Sequence, residues 1–173
     1  MIFYHGTSLK RAKEIEQDRL IKSTGIPLTH GNNLYYPTEQ GFVYLTNYLY
    51  SAIHYAILSS ELIDNTYSCA IFKVDIDPRF LLADEQDISI VLRTKEIQKA
   101  YSFEESLDIC ASVKVPNDLN FGKEVISYAT FNYVLPAKSE LALNIKEACS
   151  KAVQYKKYKA PDISESLFTW NTL

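Results

Sequence analysis

The chain of 173 residues is 47% hydrophobic and 23% charged, an average globular composition that excludes a disordered or collagen-like chain and favours one domain, 1–173, with a sizeable core. Eighteen Lys and Arg against 21 Asp and Glu leave a net charge of −3, which supplies no broad attraction to phosphate backbones or anionic membranes. No stretch approaches the roughly 18 apolar residues of a membrane span, and MIFYHGTSLKRAKE has no charged head followed by a long apolar run, so the chain is expected to be neither exported nor inserted.

In chain order, Ile2-Phe3-Tyr4 predicts a short strand, and SLKRAKEIEQDRL predicts a helix capped by Ser8, with Leu9, Ala12 and Ile15 at helical spacing. Residues 22 to 41 hold three of the five glycines and two prolines with no sustained period, which suits a binding loop or lid. Phe42 to Thr46 reads as a buried strand, followed by a helix capped by Asn47 whose apolar face is Leu49, Ala52, Ile53, Ala56 and Ile57. A strand is expected in YSCAIFKVDIDP, ending at Pro78, and a second amphipathic helix over 95–110. SVKVP, EVISYAT, NYVLP and ELALNI then read as short strands, KEACSKAVQYKKYK as a final helix, and about 160–173 as a peripheral tail with Phe168 and Trp170 as anchors. Helix-rich early and strand-rich late, without regular alternation, this pattern predicts an α+β fold with a mostly antiparallel or mixed sheet. The three cysteines, Cys69, Cys110 and Cys149, lie far apart in apolar surroundings without a C-x-x-C pair, and read as buried hydrophobes of a reducing compartment, the cytoplasm.

Three segments combine residues able to do chemistry. FYHGTS sets His5, the permissive Gly6 and the hydroxyl of Thr7 after a strand; the plain alternative is a turn in which His5 satisfies a backbone carbonyl. GFVYLTNYLYSAIHYA carries Tyr44 on a strand, then Ser51 and Tyr55 one turn apart on a helix, a spacing that packing alone also produces. In NFGKEVISYAT a glycine turn delivers Glu124 to the start of a strand, where a glutamate can equally be a solvated strand end.

In that order the three segments resemble the ADP-ribosyltransferases of the His-Tyr-Glu class, the diphtheria-toxin and poly(ADP-ribose) polymerase type, over most of residues 2 to 136. The resemblance implies a split sheet with flanking helices and NAD as substrate, without a metal. It implies that His5 binds the adenosine ribose, the Gly6 backbone the nicotinamide amide, and Tyr44 and Tyr55, eleven residues apart, the two faces of nicotinamide, with Glu124 as the catalytic carboxylate. Thr7 belongs to the same H-G-[TS] box. The serine that several polymerases carry eight residues after the first tyrosine is here Ala52, with Ser51 beside it.

These residue types suit the reaction. Loss of nicotinamide builds positive charge on a ribose, which a carboxylate stabilises, and two tyrosine faces favour a flat cation. The expected activity is mono-ADP-ribosylation of an intracellular macromolecule, whether protein, RNA or DNA, by a bacterial toxin or phage-defence effector, with an antitoxin or inhibitor protein as a further partner and no membrane. The loop 22 to 41 and the turn 117 to 123 would select the acceptor, and the lysines Lys146, Lys151, Lys156, Lys157 and Lys159 read as phosphate contacts or a solvated helix face. Two other readings stand beside this one. An RNA 2′-phosphotransferase would need more arginines than Arg11, Arg19, Arg79 and Arg93 and a second histidine where Tyr44 stands; an inactive module would bind NAD or ADP-ribose without turnover.

Overall fold

The computed structural model describes residues 1–24, 39–94, 99–134, 139–147, 150 and 162–173. It is α+β. A seven-stranded sheet runs in the order β5-β6-β3-β1-β4-β8-β9, with every neighbouring pair antiparallel. Its strands are β1 (Ile2–Ser8), β3 (Val43–Thr46), β4 (Ser68–Asp75), β5 (Leu82–Ala83), β6 (Ser112–Val115), β8 (Val125–Asn132) and β9 (Asn171–Thr172). A separate small pair joins β2 (Leu20–Ile21) to β7 (Leu119–Asn120). Helices α1 (Leu9–Asp18), α2 (Leu49–Ser59), α3 (Glu85–Leu92) and α4 (Phe103–Cys110) flank the sheet, and residues 140–147 are also helical.

Pairing along the sheet is uneven. β1 is matched to β4 from Ile2↔Asp75 to Ser8↔Cys69, whereas it meets β3 at one position, Tyr4↔Thr46. The sheet is therefore two halves, β5-β6-β3 and β1-β4-β8-β9, hinged at Tyr4. Alternation along β1 sends Tyr4 to one core, with Leu49, Tyr50, Ile53 and Ala56 of α2, and Phe3 to the other, with Ala12 of α1, Val43, Phe72 and Val113.

The prediction for α1 holds in detail: Ser8 is the cap, and its hydroxyl accepts from the Arg11 backbone N–H. The helix after β3 forms as expected, but Asn47 does not cap it. Tyr48 occupies the cap position, and the first amides, Leu49 N and Tyr50 N, donate to the Asp162 carboxylate at 2.7 and 3.1 Å. That cap comes from 113 residues away in the chain, so local pattern could not reveal it. The residues after it are not peripheral: Ile163 and Phe168 are buried, Trp170 packs on the same core and Asn171–Thr172 adds the edge strand.

Three other expectations differ. Within 95–110 the helix is Phe103–Cys110, started by a capping box in which Ser102 and Glu105 satisfy each other's backbone amides; α3, capped by Asp84, precedes it, and 95–98 lie outside the described residues. ELALNI is helical, with Ile145 buried and Leu141 at i,i−4 spacing packed on the same core, so one helical face covers it. β8 ends at Asn132 and Tyr133 and Val134 are not in a strand, while 135–136 of NYVLP and 148, 149 and 151–159 of the expected final helix lie outside the described residues. Cys69 is buried and Cys110 half-buried.

Gly6 shows how tightly α2 lies on β1. A Cβ at this position would sit 1.9 Å from the Ala52 carbonyl oxygen and 3.0 Å from Ala56 N, both rigid helical backbone. Gly6→Ala is expected to cost more than about 3 kcal/mol of stability, above the usual cost of overpacking, because no side chain can give way. Urea unfolding measures this, and wild-type stability in the variant would show that packing does not require the glycine.

Candidate active site

The split between β1 and β3 opens a cleft of about 270 Å³. Beyond Tyr4↔Thr46, a continued ladder would set Gly6 opposite Tyr44, but no further pair forms. The Tyr44 carbonyl is instead met by His5 Nδ1 at 3.0 Å. A carbonyl only accepts, so Nδ1 carries the proton and donates. Desolvation, the largest influence on His5, lowers its pKa; the hydrogen bond to Tyr44 raises it and the Arg11 charge lowers it further. The ring is thus neutral at pH 7, with a lone pair on Nε2. The plain reading of His5, as satisfying a backbone carbonyl, is correct for one nitrogen and leaves the other as an acceptor.

His5, Gly6, Thr7, Tyr44 and Tyr55 all line this cleft. Tyr55 extends from α2, and its hydroxyl donates to Asp87 Oδ2 at 3.1 Å. The Tyr44 hydroxyl donates to the Glu39 carbonyl at 3.1 Å. Burial first, and then nearby carboxylates, push both phenol pKa values up, so both stay protonated donors with uncharged rings.

The structure does not bring Ser51 or Glu124 to the same place. Ser51 is buried in α2 outside the lining, and Ala52 is fixed there by its contact with Gly6. Glu124 follows the β7–β8 turn at Gly122, whose φ of +77° permits the tight reversal. Its carboxylate accepts from Asn120 N at 3.0 Å and pairs with Lys123 at 2.7 Å. Desolvation alone would raise its pKa, but the hydrogen bonds from Lys123 and Asn120 outweigh it and the pKa is lowered. β8 stands two strands from β1, about 10 Å at ordinary strand spacing, which is why a glutamate at its start falls outside the cleft.

The cleft has other carboxylates, which the sequence analysis missed. Asp84 and Asp87 at the start of α3 and Ser112 on β6 line the wall next to Tyr55. Asp84 is almost fully buried; its carboxylate accepts from Ser112 Oγ at 2.7 Å and from Asp87 N at 3.1 Å. Desolvation, reinforced by the Asp87 charge, raises its pKa to about 6. The signal was present as D-E-Q-D before an apolar run, a helix start with acidic first turn. Beside them, buried Lys114 lies opposite Tyr44 in the β3–β6 register, pairs with Glu39 at 2.6 Å and stands 4.4 Å over the Phe42 ring.

Of the segments expected to flank the site, Lys22, Ser23 and Glu39 line the cleft, and Ser23 N and Oγ both donate to Asp118 in the 117 to 123 turn. Residues 25–38 lie outside the described residues, as do Cys149 and all of the lysine cluster except Lys146. Among the described residues, no three His, Cys, Asp or Glu side chains are grouped to hold a metal ion, and no helix is long and apolar enough to cross a membrane.

No family model and no curated protein matches the chain. Among solved structures it is similar to a heat-labile enterotoxin double mutant, at 14% identity and a TM-score of 0.38, over 75% of this chain and 56% of that one. The chain thus spans little more than half the length of that structure. At this identity and score the likeness identifies neither family nor activity.

Asp84 carries a pH signature. Its folded pKa, about 6, is raised above the ordinary 3.8, so between those values the native state holds a proton that the unfolded chain has released. Its contribution to stability therefore falls as pH rises from about 4 to about 6, and is flat above. Asp84→Asn keeps one of the two acceptor oxygens and removes the titration. Wild type should lose stability relative to this variant across that window in denaturant titrations, and a difference independent of pH would contradict the assignment.

Proposed function

We propose that the chain is an NAD-dependent mono-ADP-ribosyltransferase that cleaves nicotinamide from NAD and transfers ADP-ribose to a macromolecule. The observation that supports it is the cleft at the sheet split, which a neutral histidine, two tyrosines and a pair of aspartates line together. In this reading NAD enters as substrate. The His5 Nε2 lone pair accepts from a ribose hydroxyl, Tyr44 and Tyr55 flank the cationic nicotinamide ring, and the Asp87 carboxylate stabilises the positive charge that grows on the ribose as the glycosidic bond opens.

Glu124 has no part in this version, because its carboxylate is engaged by Asn120 and Lys123. The same fact favours a second reading, a module that binds NAD or ADP-ribose without turnover. Nothing in the cleft favours a 2′-phosphotransferase: Arg11 is its one arginine among the described residues. A toxin or phage-defence role, an antitoxin partner and the acceptor's chemical class follow from the resemblance alone.

Nicotinamide release from NAD separates the readings. Asp87→Asn should lower kcat by about 100-fold or more, with KM changed little, because the lost interaction matters most in the transition state. Glu124→Gln should stay within about threefold of wild type, as expected for a surface ion pair. Loss of turnover with Glu124→Gln and not with Asp87→Asn would reverse the assignment, and absence of release by wild type that still binds NAD would establish the inactive module.

A further inference from the structure

Among the charged groups that line the cleft and have no part in the mechanism above is an arginine. Arg11, on the first turn of α1, lines the wall next to His5. Its backbone amide is taken by Ser8 Oγ at 3.3 Å, but its Nε is buried with no hydrogen-bond partner, and no carboxylate among the described residues lies within ion-pair distance of its guanidinium. Lys22, which also lines the cleft, is committed to Asp18 at 2.6 Å, and Lys114 on β6 pairs with Glu39 at 2.6 Å. A buried guanidinium donor without an acceptor costs free energy, and a fold retains it where a ligand supplies the missing anion.

Arg11 stands on the β1–α1 side of the cleft with His5, which its charge helps to keep neutral. Glu14 and Asp18 of the same helix and Lys22 also line the cleft, and Asp84 and Asp87 stand beside Tyr55.

We infer that Arg11 is the anion anchor of the cleft, holding the diphosphate of the dinucleotide. The inference rests on the NAD reading for the identity of the anion. The planar fork of donors suits two oxygens of one phosphate, or one oxygen from each of two, which an ammonium matches less well.

Calorimetric titration of the whole chain tests it with three probes: ADP-ribose, inorganic pyrophosphate and nicotinamide riboside, which has no phosphate. Arg11→Gln should weaken ADP-ribose at least about tenfold and remove pyrophosphate binding, the loss expected for charge-assisted bonds, while leaving nicotinamide riboside unchanged. Arg11→Lys should fall between, and affinity of wild type for pyrophosphate should drop with salt. Equal weakening of nicotinamide riboside would mean that Arg11 only supports the fold, and unchanged binding of ADP-ribose would equally overturn the inference. NAD turnover with the same KM in Arg11→Gln would refute the anchor and leave the transferase reading standing. Pyrophosphate and ADP-ribose held through Arg11 by a wild type that releases no nicotinamide would do the reverse.

Discussion

The hydrogen bond from His5 Nδ1 to the Tyr44 carbonyl spans the gap where β1 and β3 stop pairing. Had the ladder between β1 and β3 continued past Tyr4↔Thr46, backbone groups would have closed the gap and left no cleft. Instead a side chain fills the junction and satisfies the carbonyl that pairing would have used, so the split leaves that carbonyl with a partner. The same bond fixes the tautomer of the ring and presents Nε2 as an acceptor. One contact thus separates the two halves of the sheet, holds them in register and sets the chemistry of the wall between them.

The rest of the fold supports that opening. β1 is held on its other side by a full ladder to β4 and pressed by α2, whose Ala52 lies against Gly6. α2 in turn is started by Asp162, so the end of the chain fixes the helix that carries Tyr55. Within the cleft, Asp84 is a buried carboxyl whose pKa is raised and Arg11 has a buried guanidinium nitrogen without a partner, beside a histidine that burial keeps neutral. Free energy is spent on such arrangements where charge has to be met by a ligand, and their collection in one cleft is the physical basis for reading it as a site.

Short-range signals in the sequence led to the parts of the fold that short-range physics controls. Ser8 before an apolar period started α1, the apolar face from Leu49 to Ile57 formed α2, and His5, Gly6, Thr7, Tyr44 and Tyr55 share the cleft because β1, β3 and α2 meet there. Failures arose where distant residues decide. Asn47 looked like a cap, but Asp162 supplies the acceptor across the fold. ELALNI has an alternating pattern that suits a strand, yet Leu141 and Ile145 face a core that accepts a helix. Glu124 stands at the start of a strand, as expected; which strand neighbours which is a matter of sheet order, and two strands separate it from β3. Asp84 and Asp87 were legible as a helix start, though only the β5–β6 pairing that docks them beside Tyr55 makes them part of a site.

The most direct test of this account is the tautomer of His5, read from long-range proton–nitrogen correlations of the imidazole ring at pH 7 with and without NAD. A neutral ring protonated on Nδ1, with the Nε2 resonance shifting as NAD is added, is the predicted result. A ring protonated on Nε2, or a charged ring, would contradict the bond across the split and with it the proposed role of the cleft.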